Sequence, residues 1–451
     1  MKIRNIDADY LKATLEIKDF LTLKELFRDL EPADIAEPLS ELSVLDCIVL
    51  FRLVVKIKKV EVFSYLKMER QLELIESLPD VLVTSLLNEM DPDDRTQLLE
   101  GLPEELKHRI LLRLSPEERN VAWKLLSYPE DSVGRLMTPD FMILKEGMNA
   151  KQSLDYIRWS SELPPEFLNL LFIADDRGRL SGEISLAELV KADPPSVLVK
   201  DIMSVSTLAL EPEASKESAL EIFKKYDRLI VPVVDEEQKV IGIITADDMF
   251  DVAEDEATED IQQFGGQGAL EQSYFQTPLL VMIRKRAGWL CLLFFGMLFS
   301  GSILRHYEGA VEQLAYLVIF LPMVISAGGN SGTQSASLII RGIALNEMEE
   351  QHWRDVFKRE LVIGIALGFL LGTLGFLRAS IWGYGFKICF VVAFTLLCVV
   401  IFGALSGALL PFFFRKMKLD PAVVSSPFIT TIVDLSGIAI FINVAKMIAG
   451  I

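Results

Sequence analysis

From residue 287 onward the chain is a series of apolar runs joined by short charged links. The runs cover 287–304, 314–340, 361–377, 388–413 and 422–449. A helix needs about 20 apolar residues to cross a bilayer, so the third run is short and the others suffice. They predict a five-helix transmembrane domain over 281–451. Ten Lys and Arg residues flank one side of these runs, among them Arg284, Lys285, Arg286, Arg354 and Arg415, and four flank the other. Cytoplasmic loops carry the basic excess. The pattern therefore predicts a cytoplasmic N-terminal half and a C-terminus outside.

Polar residues interrupt the second and fifth runs. The second contains Gly328-Gly-Asn-Ser-Gly-Thr-Gln334, in which Asn330 and Gln334 are four apart and share a helix face. Glycines at 364, 368 and 372, and at 403 and 407, predict close helix packing. The fifth run carries Thr430, Thr431 and Asp434. A carboxylate at bilayer depth costs about 2.5–3.5 kcal/mol on insertion scales and usually faces a bundle interior or a water path. The competing reading is a protonated or internally paired aspartate, yet no Lys or Arg lies in the core of any run. The stripe Thr430, Thr431 and Asp434 is expected to line a pore. One polar helix cannot enclose a pore, so a symmetric homodimer is the simplest closure.

The first 286 residues have shorter periods. Residues 1–130 predict a helical, superhelical N-domain. Pro32, Pro79, Pro92, Pro103 and Pro116 stand at expected helix starts with acids behind them, and Asp91 and Ser115 are expected N-caps. Residues 137–260 contain an internal duplication. Each copy runs through a Met-containing start, a strand, an amphipathic helix, a strand–turn–strand hairpin and a helix. The hairpins are Phe172–Gly182 and Val233–Gly242. This order resembles an α/β tandem CBS pair, with copies at 131–199 and 200–252. The resemblance implies a gating module that binds small ligands such as adenine nucleotides, with Thr245 and Asp248 as the nucleotide contact and ATP as a candidate. Asp247 stands where that family has a hydroxyl, and a carboxylate there repels phosphate and favours a cation. A connecting helix is expected over 253–280. Asp251, Asp255 and Glu259 recur every fourth position on it, a spacing at which like charges destabilise a helix. A divalent cation would relieve that repulsion; the plainer reading is a solvated acidic face.

Charge sharpens the division. The whole chain has 451 residues and a formal charge of −19, with −21 on residues 1–286 and +2 on the rest. The acidic half disfavours nucleic acid and favours cations. Four Cys and three His form no ligand pattern, Ser331 has no nearby His, and no enzyme is expected. The charged opening stretch predicts no signal peptide.

The chain as a whole resembles the bacterial MgtE magnesium channel family. The resemblance rests on Tyr128-Pro-Glu-Asp-Ser-Val-Gly-Arg-Leu-Met137, on Gly329-Asn-Ser-Gly-Thr-Gln334, and on Asp420-Pro-Ala-Val-Val-Ser-Ser-Pro427 followed by Asp434. It implies a homodimeric Mg²⁺-selective channel of the inner membrane, in which Asp434 is the selectivity carboxylate. It also implies closure by cytosolic Mg²⁺ bound at Asp91, Asp247, Asp251, Glu259 and Asp260, with Glu188 and Asp420 nearer the membrane. A proton- or sodium-coupled divalent cation transporter and a membrane-anchored nucleotide sensor are the alternatives.

Overall fold

A computed structural model describes residues 7–159, 163, 165–205, 208–270, 274, 277–309, 315–344 and 347–449. It forms two compact units, Met1–Ala253 and Glu254–Ile451.

The first unit opens with short helices of about ten residues, from Ala8–Glu16 to Pro116–Leu126. Pro32, Pro92 and Pro116 each occupy the first helical turn, where a missing N–H costs nothing. Pro79 and Pro103 stand one position earlier, at the N-cap. Ser115 accepts a hydrogen bond from Glu118 N–H as expected, whereas the Asp91 side chain makes no capping bond. One face of each helix supplies a continuous core that includes Leu23, Phe27, Leu39, Leu50, Leu74 and Leu99. Arg95 is fully buried in this domain. It donates to the carbonyls of Leu87 and Met90 and pairs with Glu118.

The duplication appears as two hairpins of matching register. Strand β1 (Ile143–Lys145) pairs parallel with β2 (Leu170–Ala174), which pairs antiparallel with β3 (Leu180–Ser185). In the second copy β4 (Ile230–Val234) pairs antiparallel with β5 (Val240–Thr245). The strand expected before β4 is reduced to one parallel bridge, Leu210 to Val233. Both hairpins shift register at the same place, between Ile173 and Ala174 and between Val233 and Val234. Asp175 and Asp235 each accept two backbone N–H groups across their turns, at Arg177 and Arg179 and at Glu237 and Lys239.

The copies also exchange their leading segments. Thr138, at the start of copy one, bridges Ile243 of copy two, and Ser204 of copy two bridges Glu183 of copy one. Glycine permits both crossings. A Cβ on Gly242 would stand 2.7 Å from Met137 Sδ, and one on Gly182 would stand 2.5 Å from Met203 Sδ. Each methionine thus packs against bare backbone of the other copy.

The helix that closes the second copy runs unbroken from Ala246 to Phe264. The connecting helix expected over 253–280 is therefore its continuation. It stops at Phe264, followed by Gly265 and then Gly266 in the left-handed region at φ +74°.

In the second unit, four helices among the described residues are long and apolar enough to cross a membrane. They are Leu279–His306, Trp353–Ile381, Phe386–Lys416 and Ser426–Ile448. The remaining predicted span, 314–340, corresponds to a 3-10 turn at Ala315–Phe320 and a 24-residue helix, Leu321–Ala344, with residue 314 outside the described residues. At 1.5 Å per residue that helix extends roughly 36 Å, long enough to span. Its run from Gly328 to Gln334 is what lowers its apolar character. In chain order these five are called the first to fifth long helices.

The fourth long helix is the hub and packs on the second, third and fifth. Gly403 and Gly407 face Gly328 and Gly332. A Cβ at Gly407 would lie 2.0 Å from the Gly332 carbonyl oxygen, so these backbones touch. The glycine stripes are packing surfaces.

Candidate functional site

The fifth long helix begins after Asp420-Pro421 and a short 3-10 turn, Pro421–Val423. Its early residues Ser426, Thr430 and Asp434 recur every fourth position and line one face of a groove of about 790 Å³. Thr431 joins them, and Leu290, Leu293, Phe294 and Met297 of the first long helix form the opposite wall. The hydroxyls of Thr430 and Thr431 donate to the carbonyls of Ser426 and Pro427 one turn back. Their oxygens keep lone pairs free to accept from a hydrated ion. Asp434 is half-buried, and its Oδ1 is buried with no hydrogen-bond partner. An unpaired buried carboxylate oxygen is costly unless something outside the chain meets it.

The second long helix approaches the same stripe. A Cβ on Gly329 would stand 3.2 Å from the Thr430 methyl. Three hydroxyls fasten this helix to its neighbours. Ser331 donates to the Val400 carbonyl (3.3 Å), Thr333 bonds Ser426 (3.3 Å), and Ser335 donates to Glu360 (2.7 Å). Asn330 and Gln334 are left exposed on the remaining face. Glu360 is not among the residues the sequence singles out, because the third apolar run starts at 361. The helix starts at Trp353 and takes Glu360 inside, where it is 7% exposed.

A second acidic locus lies in the first unit. The helix Pro92–Glu100 carries Asp93 and Asp94 in its first turn, and the helix Ala246–Phe264 carries Asp247 and Asp248 in its own. Burial and the Asp248 charge, with Asp94 and Asp91 adding, hold the Asp93 carboxyl well above the usual carboxylate range. Burial raises Asp94 too; a Ser64 hydroxyl lowers it and Asp247 raises it. Burial pushes Asp248 up to about 7, against the Thr245 hydrogen bonds that lower it. Asp247 and Asp248 of the predicted set therefore come together here, and Asp91 stands at the N-cap of the facing helix, where its charge acts on Asp93. Asp93 and Asp94, the acids behind Pro92, join them. The Asp93 Oδ1 is buried without a partner.

The other predicted residues lie elsewhere. Asp251 is exposed one turn further along its helix, and Glu259 and Asp260 lie about 18 Å along the helix from Asp247 and Asp248 at 1.5 Å per residue. Glu259 accepts from Gln263 at 2.6 Å. Glu188 forms a capping box with Ser185, whose N–H and hydroxyl bond its carboxylate and hold its pKa low. Thr245 donates to Asp248 at the equivalent place in copy two. Asp420 is exposed before the fifth long helix. Among the described residues, no three His, Cys, Asp or Glu side chains stand close enough to hold a metal ion directly. Cations held through their own water shells need no such closeness.

Three family models match the chain: a divalent cation transporter model at residues 321–444, an MgtE intracellular N domain at 30–131, and a CBS domain at 199–255. The magnesium transporter MgtE of Thermus thermophilus is 33% identical over 442 residues, covering 97% of both chains. That of Bacillus subtilis is 32% identical over 432 residues, covering 93% of this chain and 95% of its own length. The crystal structure of the cytosolic domain of the Mg²⁺ channel MgtE in complex with ATP matches with a TM-score of 0.51 and 31% identity, over 54% of this chain and 99% of that one. The soluble part of a magnesium transporter matches in fold with a TM-score of 0.50 and 24% identity, over 55% of this chain and 98% of that one. With its intracellular helical domain, its CBS pair and its apolar helices in one chain, the protein belongs to the MgtE family of magnesium transporters.

Proposed function

We propose that the chain forms a Mg²⁺-selective channel of the inner membrane, gated closed by cytosolic Mg²⁺. The observation that carries this is Asp434: a carboxylate in an apolar helix, one oxygen buried without a partner, beside Thr430 and Thr431 in an open groove. Mg²⁺ dehydrates reluctantly and prefers an octahedral shell. A carboxylate and hydroxyls along about 12 Å of helix suit a hydrated ion that is held through its waters and released again. Asn330 and Gln334 complete the conduction path. An inside-negative potential drives a divalent ion inward with roughly 4.6 kcal/mol per 100 mV, so no other energy source is needed.

Gating belongs to the acidic residues. Asp93 and Asp94 of the N-domain, with Asp91 at the N-cap before them, face Asp247 and Asp248 of the second CBS copy, and their charges oppose one another. Hydrated Mg²⁺ between them offsets that repulsion and favours the closed arrangement. Asp251 and Glu188 of the first unit, and Glu259, Asp260 and Asp420 of the second, are the further proposed Mg²⁺ ligands. The division into N-domain (1–130), CBS copies (131–199 and 200–252), connecting helix and channel domain follows this assignment of tasks. An adenine nucleotide is a second proposed ligand of the CBS pair, by analogy with the ATP complex of the cytosolic neighbour. Its ribose would compete with the Thr245–Asp248 hydrogen bond.

The test is Mg²⁺ entry into liposomes carrying the purified chain under an inside-negative voltage. Wild type is expected to conduct, and Asp434→Asn to lose at least about ten-fold of its Mg²⁺ flux or its selectivity, equivalent to 1.4 kcal/mol at the ion site. Unchanged selective flux in the variant would remove Asp434 from the path. Entry that follows a pH gradient at zero voltage would replace the channel with a coupled transporter.

A further inference from the structure

A second concavity, of about 880 Å³, opens where the third long helix begins and the fourth ends. Trp353, Leu409 and Phe413 form its apolar wall, Arg415 and Lys416 its basic end, and Glu349 part of its rim. We propose that this groove binds an anionic phospholipid of the cytoplasmic leaflet; the leaflet rests on the topology proposed above.

The lining follows the profile of such a lipid. Leu409 and Lys416 are seven residues apart on one helix, roughly 10 Å along its axis. That is the distance from a headgroup into the acyl boundary, which spans about 5–10 Å. Trp353 is 46% exposed at the first turn of the third long helix, where amphipathic rings anchor at the membrane interface. The Arg354 guanidinium lies 5.3 Å from its ring centre and adds a third cation at that level. Arg415 is held in place by a 2.9 Å bond from Nη1 to the Met348 carbonyl, which leaves its other N–H groups for a phosphate oxygen. Lys416 is exposed and makes no ion pair among the described residues. Glu349, the acid that lines the groove among the described residues, accepts a 2.7 Å bond from Gln351. A soluble anion would have no use for the apolar wall, and a zwitterionic lipid would leave the two basic groups uncompensated.

The test uses full-length, delipidated protein in detergent and counts retained lipids by native mass spectrometry. Phosphatidylglycerol is expected to be retained over phosphatidylcholine by about five-fold for each engaged cation. Lys416→Gln is expected to lower phosphatidylglycerol retention about five-fold and leave phosphatidylcholine unchanged. Arg415→Lys keeps the charge and is expected to keep the preference, which separates lost binding from lost folding. Equal retention of the two lipids, or displacement of phosphatidylglycerol by inorganic phosphate, would overturn the proposal. So would disulfide-linked dimers formed through Leu409→Cys, because a second copy would then cover the groove. None of these readouts requires ion flux, so the lipid site and the channel reading stand or fall separately.

Discussion

Asp248 carries the clearest pH signature in the molecule. Its carboxyl is raised by burial and by the neighbouring Asp247 and Asp94 charges to about 7, from an ordinary 3.8. The unfolded chain therefore releases this proton near the lower value, and the folded chain near the higher one. Between them the folded state binds more protons, so stability is greatest below the window and falls as pH rises through it. Asp93 and Asp94 are raised as well and push in the same direction. The full chain in detergent without Mg²⁺ is expected to melt at lower temperature near pH 8 than near pH 5. Added Mg²⁺ should restore the loss at the higher pH by binding the ionised folded state. Asp248→Asn should flatten the profile. A melting temperature that rises with pH in wild type would show that these carboxyls do not oppose one another as the structure has them.

At the scale of the element, the second long helix is shaped by its hydroxyls. Glu360 is 7% exposed, and Ser335 donates to it at 2.7 Å. Ser335→Ala removes the donor and leaves a buried acceptor unsatisfied, a change of about 1–3 kcal/mol in general and nearer 1 between membrane helices. For a unit of this size that is a fall of about 2–4 °C in melting temperature. Glu360→Gln keeps an acceptor and is expected to be milder than Glu360→Leu, which leaves the Ser335 hydroxyl unpaired. If thermal melts of the three variants were indistinguishable from wild type, the bond would not be holding the helix. Elements differ in how far the sequence discloses them. Asp434 was legible because it is a lone carboxylate in an apolar run with no cation to pair with. The hairpins were legible because the two copies repeat one strand–turn–strand order, and Asp175 and Asp235 bond the turns. Glu360 was not, because a window that demands continuous apolarity begins just after it. The crossing of Met137 onto Gly242 and Met203 onto Gly182 was not either, since it joins residues of different copies that no local pattern links.

For the whole molecule the decisive number is how many Asp434 side chains share one path. Within one chain the groove before Asp434 has a single polar wall, on the fifth long helix, and an apolar wall on the first. Among the described residues the first helix has no fully buried side chain, and Leu292, Phe295 and Phe299 are each more than half exposed, so one side of it lies open to lipid or to another copy. A two-fold axis beside the stripe would set two carboxylates across one path and present a doubly charged ring to a divalent ion. The charge arithmetic then makes co-expression informative. Wild-type and Asp434→Asn chains that pair at random would give three assemblies, with two, one or no carboxylates on the shared path. Single-channel recordings from such a mixture are expected to fall into three Mg²⁺ conductance classes, the mixed class lying between the two parents. At about 4 kcal/mol for unit charges 4 Å apart at an effective dielectric of 20, and less through intervening water, loss of one carboxylate is large enough to resolve. Two classes only, each matching a parent, would mean that every chain conducts through its own path and that the pore is not shared.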